Sequence, residues 1–134
     1  HLAYSNQTVL GRGGVAGGLT DFSPPDEGFF YLDHDQRNTL SLGGEATLPK
    51  RSWASASVTY GSGFLDGDGP GHLPQYATLN LSLGTSLYEH WSVSFTAINV
   101  TGAQFLLDNS NTFGGTHYNE PRQFIGQLRY RFHF

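Results

Sequence analysis

Residues Arg122 to Phe134 read RQFIGQLRYRFHF. Phe124, Gly126, Leu128, Tyr130, Phe132 and Phe134 share one parity, and Ile125, Gln127, Arg129, Arg131 and His133 share the other. In an extended chain, successive side chains point to opposite faces. This stretch therefore reads as a strand with an apolar, aromatic face and a mostly polar, cationic one. The apolar series runs on to an aromatic at Phe134. A strand with lipid on one side and a wet lumen on the other accounts for both features.

The same rhythm returns upstream. Strands are expected at 1–10, 35–48, 53–63, 75–84, 91–100 and 122–134. Leu40, Leu42, Gly44, Ala46 and Leu48 alternate with Thr39, Ser41, Gly43, Glu45 and Thr47. Ala54, Ala56, Val58 and Tyr60 alternate with Ser55, Ser57 and Thr59. Ala77, Leu79, Leu81 and Leu83 oppose Thr78, Asn80 and Ser82, and Trp91, Val93, Phe95 and Ala97 oppose Ser92, Ser94 and Thr96. Ile98, Val100 and Ile125 break the pattern and are expected to pack on something inside a lumen. Long loops at 11–34, 64–74 and 101–121 alternate with short turns at 49–52 and 85–90.

Short periplasmic turns alternating with long external loops are the habit of bacterial outer-membrane barrels. The expected fold class is thus all-β: antiparallel transmembrane β-barrel strands with no significant helix. None of the apolar series carries a charge. A charge at the bilayer midplane would cost ~2–4 kcal/mol, so lipid requires that cleanness. Aromatics gather at the expected strand ends, with Trp53, Trp91, Phe132 and Phe134 at the short-turn end and Tyr60, Phe64, Phe105 and Phe124 at the other. A soluble β-sandwich with a half-buried sheet produces the same alternation, because periodicity alone does not separate lipid from core.

Composition agrees with a turn-rich β protein. The 134 residues include 18 Gly, ten Phe, seven Tyr and two Trp, and 13% are charged. There is no Cys, hence no disulfide framework or Cys-based zinc site. A net charge of −4 without a basic patch gives no reason to expect a nucleic-acid partner. The mean hydropathy of −0.34 is uninformative here, since spanning strands show only half their residues to lipid. The chain lacks Met even at position 1 and is expected to be processed or a piece of something longer.

The stretch from Trp91 to Phe134 resembles the C-terminal end of a TonB-dependent outer-membrane receptor. The resemblance rests on Ala97-Ile98-Asn99-Val100-Thr101, then on Leu107-Asp108-Asn109 and Phe113-Gly114-Gly115 in the loop. Tyr118-Asn119-Glu120-Pro121-Arg122 and Leu128-Arg129-Tyr130-Arg131-Phe132-His133-Phe134 complete it. Residues 35–90 fit by strand rhythm and by Leu32-Asp33-His34-Asp35-Gln36-Arg37; residues 1–34 fit only as a loop of the right kind. The resemblance implies a barrel of about 22 strands with a plug and a TonB box, importing siderophore-bound iron, cobalamin or oligosaccharide. Six strands would be the last part of such a wall. Its implied partners are outer-membrane lipid, the rest of the barrel and plug, the barrel-assembly machinery, and the inner-membrane TonB complex.

Candidate sites follow. Leu128, Tyr130, Phe132 and Phe134 resemble the signal read by the assembly machinery. Glu45, Arg129 and Arg131 are expected to face the lumen or plug, where ordinary solvation of a hydrated wall also explains them. Phe29, Phe30, Tyr31 and Phe113 are candidates to grip an external ligand, or simply to pack their loops. Asp66-Gly67-Asp68-Gly69 echoes the start of a calcium loop but lacks the later ligands, and reads as a turn. Asp33-His34-Asp35 places His34 opposite the two carboxylates in an extended chain. No nucleophile elbow, phosphate loop, dinucleotide fingerprint or zincin spacing is present, so no enzyme activity and no cofactor is expected. A structural or interaction barrel subunit is the alternative function, and a soluble β-sandwich binding module the second.

Overall fold

A computed structural model describes residues 1–13, 28–32, 34–67, 70–109 and 116–132. These residues are all-β, with no helix, and every strand pair is antiparallel. The strands are β1 (Leu2–Asn6), β2 (Leu10–Gly11), β3 (Phe30–Tyr31), β4 (Asn38–Leu48) and β5 (Ser52–Gly61). They continue with β6 (Tyr76–Ser86), β7 (Trp91–Ile98), β8 (Leu106–Asp108), β9 (His117–Tyr118) and β10 (Gln123–Tyr130). Six of them form one sheet in the order β1-β4-β5-β6-β7-β10. Between them lie the small hairpins β2-β3 and β8-β9: β3, β8 and β9 fall inside the stretches 11–34 and 101–121 expected to be plain loops, and β2 begins at Leu10, the end of the strand expected at 1–10.

The register makes the alternation continuous across the sheet. Leu42 lies opposite Leu2 and Val58, Val58 opposite Leu79, and Leu83 opposite Ala54 and Phe95. Val93 faces Leu128, and Trp91 faces Tyr130. The result is one charge-free apolar face running through all six strands. Leu40 to Leu48 spans about 26 Å at ~3.3 Å per residue, close to the ~25 Å apolar band of a spanning barrel. Polar pairs bound the band at both ends. Tyr4 Oη and Asn6 Nδ2 donate to Asn38 Oδ1 at 2.7 and 2.8 Å, and Ser52 Oγ donates to Thr85 Oγ1 at 2.9 Å.

The opposite face carries Ser, Thr, Asn and Gln, with Ser82 bonded to Thr96 at 3.2 Å and Ser94 to Gln127 at 3.5 Å. Ile125 lies on this polar face and is 46% exposed. Trp53 also belongs there, opposite Thr47 and Gly84. Its indole covers Gly84, where an added Cβ would stand 2.7 Å from Nε1. It is therefore no part of an aromatic rim on the apolar face. The aromatics of that face at the short-turn end are Trp91, Tyr130 and Phe132, with ring centres 4.7 and 4.6 Å apart in sequence.

Neither face is covered by a second layer of described residues. Among the described residues the buried apolar side chains are only Leu65 and Ala97, whereas Leu83 is 57% and Leu128 64% exposed. The deeply buried polar residues, Asp35, Gln36, Asn99 and Asp108, all lie at or beyond the long-loop ends of the strands. The outer edges of β1 and β10 have no partner strand among the described residues.

Candidate functional site

The long-loop end is held by two polar nodes. At the first, Asp35 is fully buried. Its Oδ1 accepts the Val9 amide at 2.7 Å, while Oδ2 lies 2.9 Å from His72 Nε2 and 3.6 Å from Arg37 Nε. Arg37 in turn donates to the Tyr31 hydroxyl at 2.9 Å and to Thr8, and stacks 5.2 Å over the Tyr31 ring. The backbone follows the same ties, with Leu32 N to Val9 O at 3.0 Å and Leu65 N to Asp35 O at 3.0 Å. One carboxylate thus joins the exit of β1, the β2-β3 hairpin and the β5-β6 connection. Burying it is tolerable because every lone-pair direction used meets a donor, two of them on basic side chains.

The second node is Asn99, at the turn after β7. Its φ of +49° is left-handed, a conformation Asn adopts more readily than most residues. The side chain does the work of a short cross-strand. Oδ1 accepts Ala103 N at 3.0 Å and Thr101 Oγ1 at 3.1 Å, and Nδ2 donates to Ala103 O and Glu120 O at 2.8 and 3.0 Å. Asn119 mirrors it: Oδ1 accepts Phe105 N at 2.9 Å and Nδ2 reaches Ala103 O at 2.9 Å. Arg122 lies against Gly102, whose φ of +66° and missing side chain both matter there.

Between the nodes runs an aromatic column. Tyr76 stacks on Phe105 with ring centres 3.6 Å apart and planes 5° apart, and on Phe64 at 6.0 Å. The Gln36 amide and the Tyr76 hydroxyl bond at 3.1 Å. Phe64 and Phe105 are thus members of this column rather than of a rim on the apolar face. Beside it opens a groove of about 440 Å³, walled by Tyr76, Phe105, Leu106 and Tyr118, with Gln75 and Gln104 at its rim. That volume falls within the ~300–1,000 Å³ usual for ligand clefts. No acidic or basic side chain lines it.

The residues singled out from sequence are dispersed. Of the loop aromatics, Phe29 is exposed under the Arg12 guanidinium at 5.8 Å. Phe30 lies across Gly11 and is half-buried, and Tyr31 serves the Asp35 node. Phe113 lies outside the described residues. Glu45 and Arg129 stand on the polar face of β4 and β10, and Arg131 follows the last strand with its amide on His90 O at 2.8 Å. None of these three side chains has a hydrogen-bond or ion-pair partner among the described residues. Leu128, Tyr130 and Phe132 are exposed at the sheet edge, and Phe134 lies outside the described residues.

His72 and Tyr76 carry no mark in the sequence, and Asp35 and Phe105 are marked for other roles, the one beside His34 and the other as a strand-end aromatic. The charge-dense run around Asp35 was a signal, but its partner His72 is 37 residues away and only the sheet brings them together. Asn99, expected inside the strand 91–100, instead follows β7 in a turn that Gly102 N closes onto Asn99 O at 2.9 Å. Among the described residues no group of three or more His, Asp or Glu is placed to hold a metal ion. No family model, curated protein or solved structure matches the chain.

Proposed function

We propose that this chain is a stretch of outer-membrane barrel wall, the last six strands of a TonB-dependent receptor, with a share in energised uptake of a scarce solute. The carrying observation is the continuous charge-free face, exposed through all six strands of an antiparallel meander. A sheet must bury such a face against something, and lipid is the partner that demands no charge along the whole ~25 Å band. In this reading the apolar face meets lipid, the polar face lines the lumen, and the edges of β1 and β10 pair with neighbouring strands. Glu45, Arg129 and Arg131 present charge to the lumen. Leu128, Tyr130, Phe132 and Phe134 form the assembly signal. The wall acts with a plug and, through it, the inner-membrane TonB complex.

The two tryptophans test it, since they occupy opposite faces. In vesicles of brominated phospholipid, the emission component removed by Trp91→Phe is expected to be strongly quenched. The component removed by Trp53→Phe is expected to be spared. Equal protection of both from lipid would replace the membrane wall with a soluble sandwich. The two unpaired edges also fit a small structural barrel subunit that closes by assembling with other chains. A membrane-extracted mass several-fold above 14.6 kDa favours the receptor, and a mass near it favours the subunit.

A further inference from the structure

We infer that the groove beside Tyr76 and Phe105 is a binding site for an uncharged saccharide, which makes a neutral oligosaccharide the solute class of the wall proposed above. The inference rests on that reading for its biological role, but its chemistry comes from the groove itself. Three properties carry it.

The first is charge. The groove lining contains no Asp, Glu, Lys, Arg or His. A solute charged with either sign would leave water without meeting a counter-charge in the cleft, which costs binding energy that an uncharged solute does not lose.

The second is the pairing of flat apolar surface with uncommitted hydrogen-bonding groups. Tyr118, 64% exposed, faces Leu106 across the β8-β9 pair and forms a wall of the cleft. Its hydroxyl and the Gln104 amide make no hydrogen bond among the described residues. Gln75 uses only Oε1, which accepts from Tyr60 Oη at 2.9 Å, so its amide nitrogen is open. Ring faces suit the C–H faces of a pyranose, and neutral amides and phenols suit its hydroxyls, each being both donor and acceptor in turn.

The third is rigidity. The cleft walls are set by the Asn99 and Asn119 bonds and by the 3.6 Å ring stack, so little ordering is left for binding to impose.

The test is a glycan array carrying neutral and acidic oligosaccharides, probed with the detergent-solubilised full protein. Neutral glycans are expected to bind and acidic ones not. Tyr118→Ala is expected to weaken binding about tenfold and Gln104→Ala about fivefold. Tyr118→Phe, which keeps the ring, should lose less than Tyr118→Ala. An array blank for neutral glycans overturns the inference, as does binding restricted to acidic glycans or left unchanged by Tyr118→Ala and Gln104→Ala. Trp91 quenching by brominated lipid is recorded on the same preparation. Quenching with a blank array removes the saccharide and leaves the wall, and glycan binding without quenching removes the wall and leaves the site.

Discussion

The sheet and the loop end differ in what they bury. In the sheet, apolar side chains are exposed in a continuous band, and polar ones face the other way. At the loop end the buried residues are mostly polar: Asp35, Gln36, Asn99 and Asp108, with Leu65 beside them. A water-soluble domain of this size would show the reverse, with apolar groups inside and carboxylates outside. The contrast teaches that the two regions are built by different rules. The band is regular because strand alternation and the antiparallel ladder repeat it from strand to strand. The loop end leaves the ladder, so its backbone and side-chain polar groups have to find partners one by one.

The largest expected break in that contrast is a charge on the band. Leu81→Arg, at mid-strand between Ala56 and Ala97, is expected to cost ~2–4 kcal/mol of stability in vesicles. Its neighbour Ser82→Arg, on the polar face, is expected to change it by less than about 0.5 kcal/mol. Urea midpoints of the two variants compare the faces directly, and equal losses would remove the distinction.

Next comes the Asp35 node. Asp35→Ala strands the Val9 amide and takes the partner from two basic side chains, an expected cost of about 2–3 kcal/mol, moderated because Arg37 is partly exposed. Hydrogen exchange should accelerate at Val9, while Leu81 in the sheet stays protected. Acceleration spread equally over both would mean that sheet and loop end are one cooperative unit.

Asn99→Ala removes four side-chain hydrogen bonds at a left-handed residue. A loss of about 2 kcal/mol is expected, read as faster proteolysis between β7 and β10. The smallest effect is a gain. Lys50 and Arg51 both hold positive φ, at 61° and 58°, in the β4-β5 turn. Arg51→Gly is expected to stabilise by about 1 kcal/mol, seen as a higher urea midpoint with the glycan profile unchanged.

Much of the sheet was legible in the chain because a strand writes its two faces at period two. The parity of Leu40 to Leu48 and of Trp91 to Ala97 is the parity the register displays. Parity also placed Trp53 with Ser55 and Ser57, yet its nearness to a strand end suggested a rim aromatic; its place over Gly84 needed the neighbouring strand. The site was far less legible. Tyr76, Phe105 and Tyr118 come from three separate segments, and no local pattern marks them as neighbours.

The sequence by itself determined the all-β class, the two chemistries of the sheet and the alternation of long and short connections. Each follows from local geometry, since side-chain alternation and turn length are set within a few residues. Tertiary structure alone decided that the meander stays in one layer, that Asp35 meets His72, and that three rings stand beside an uncharged cleft. Those outcomes depend on contacts between residues tens of positions apart. Such contacts form only once strand pairing has brought the loop ends together, and pairing is set by the whole sheet rather than by any one stretch.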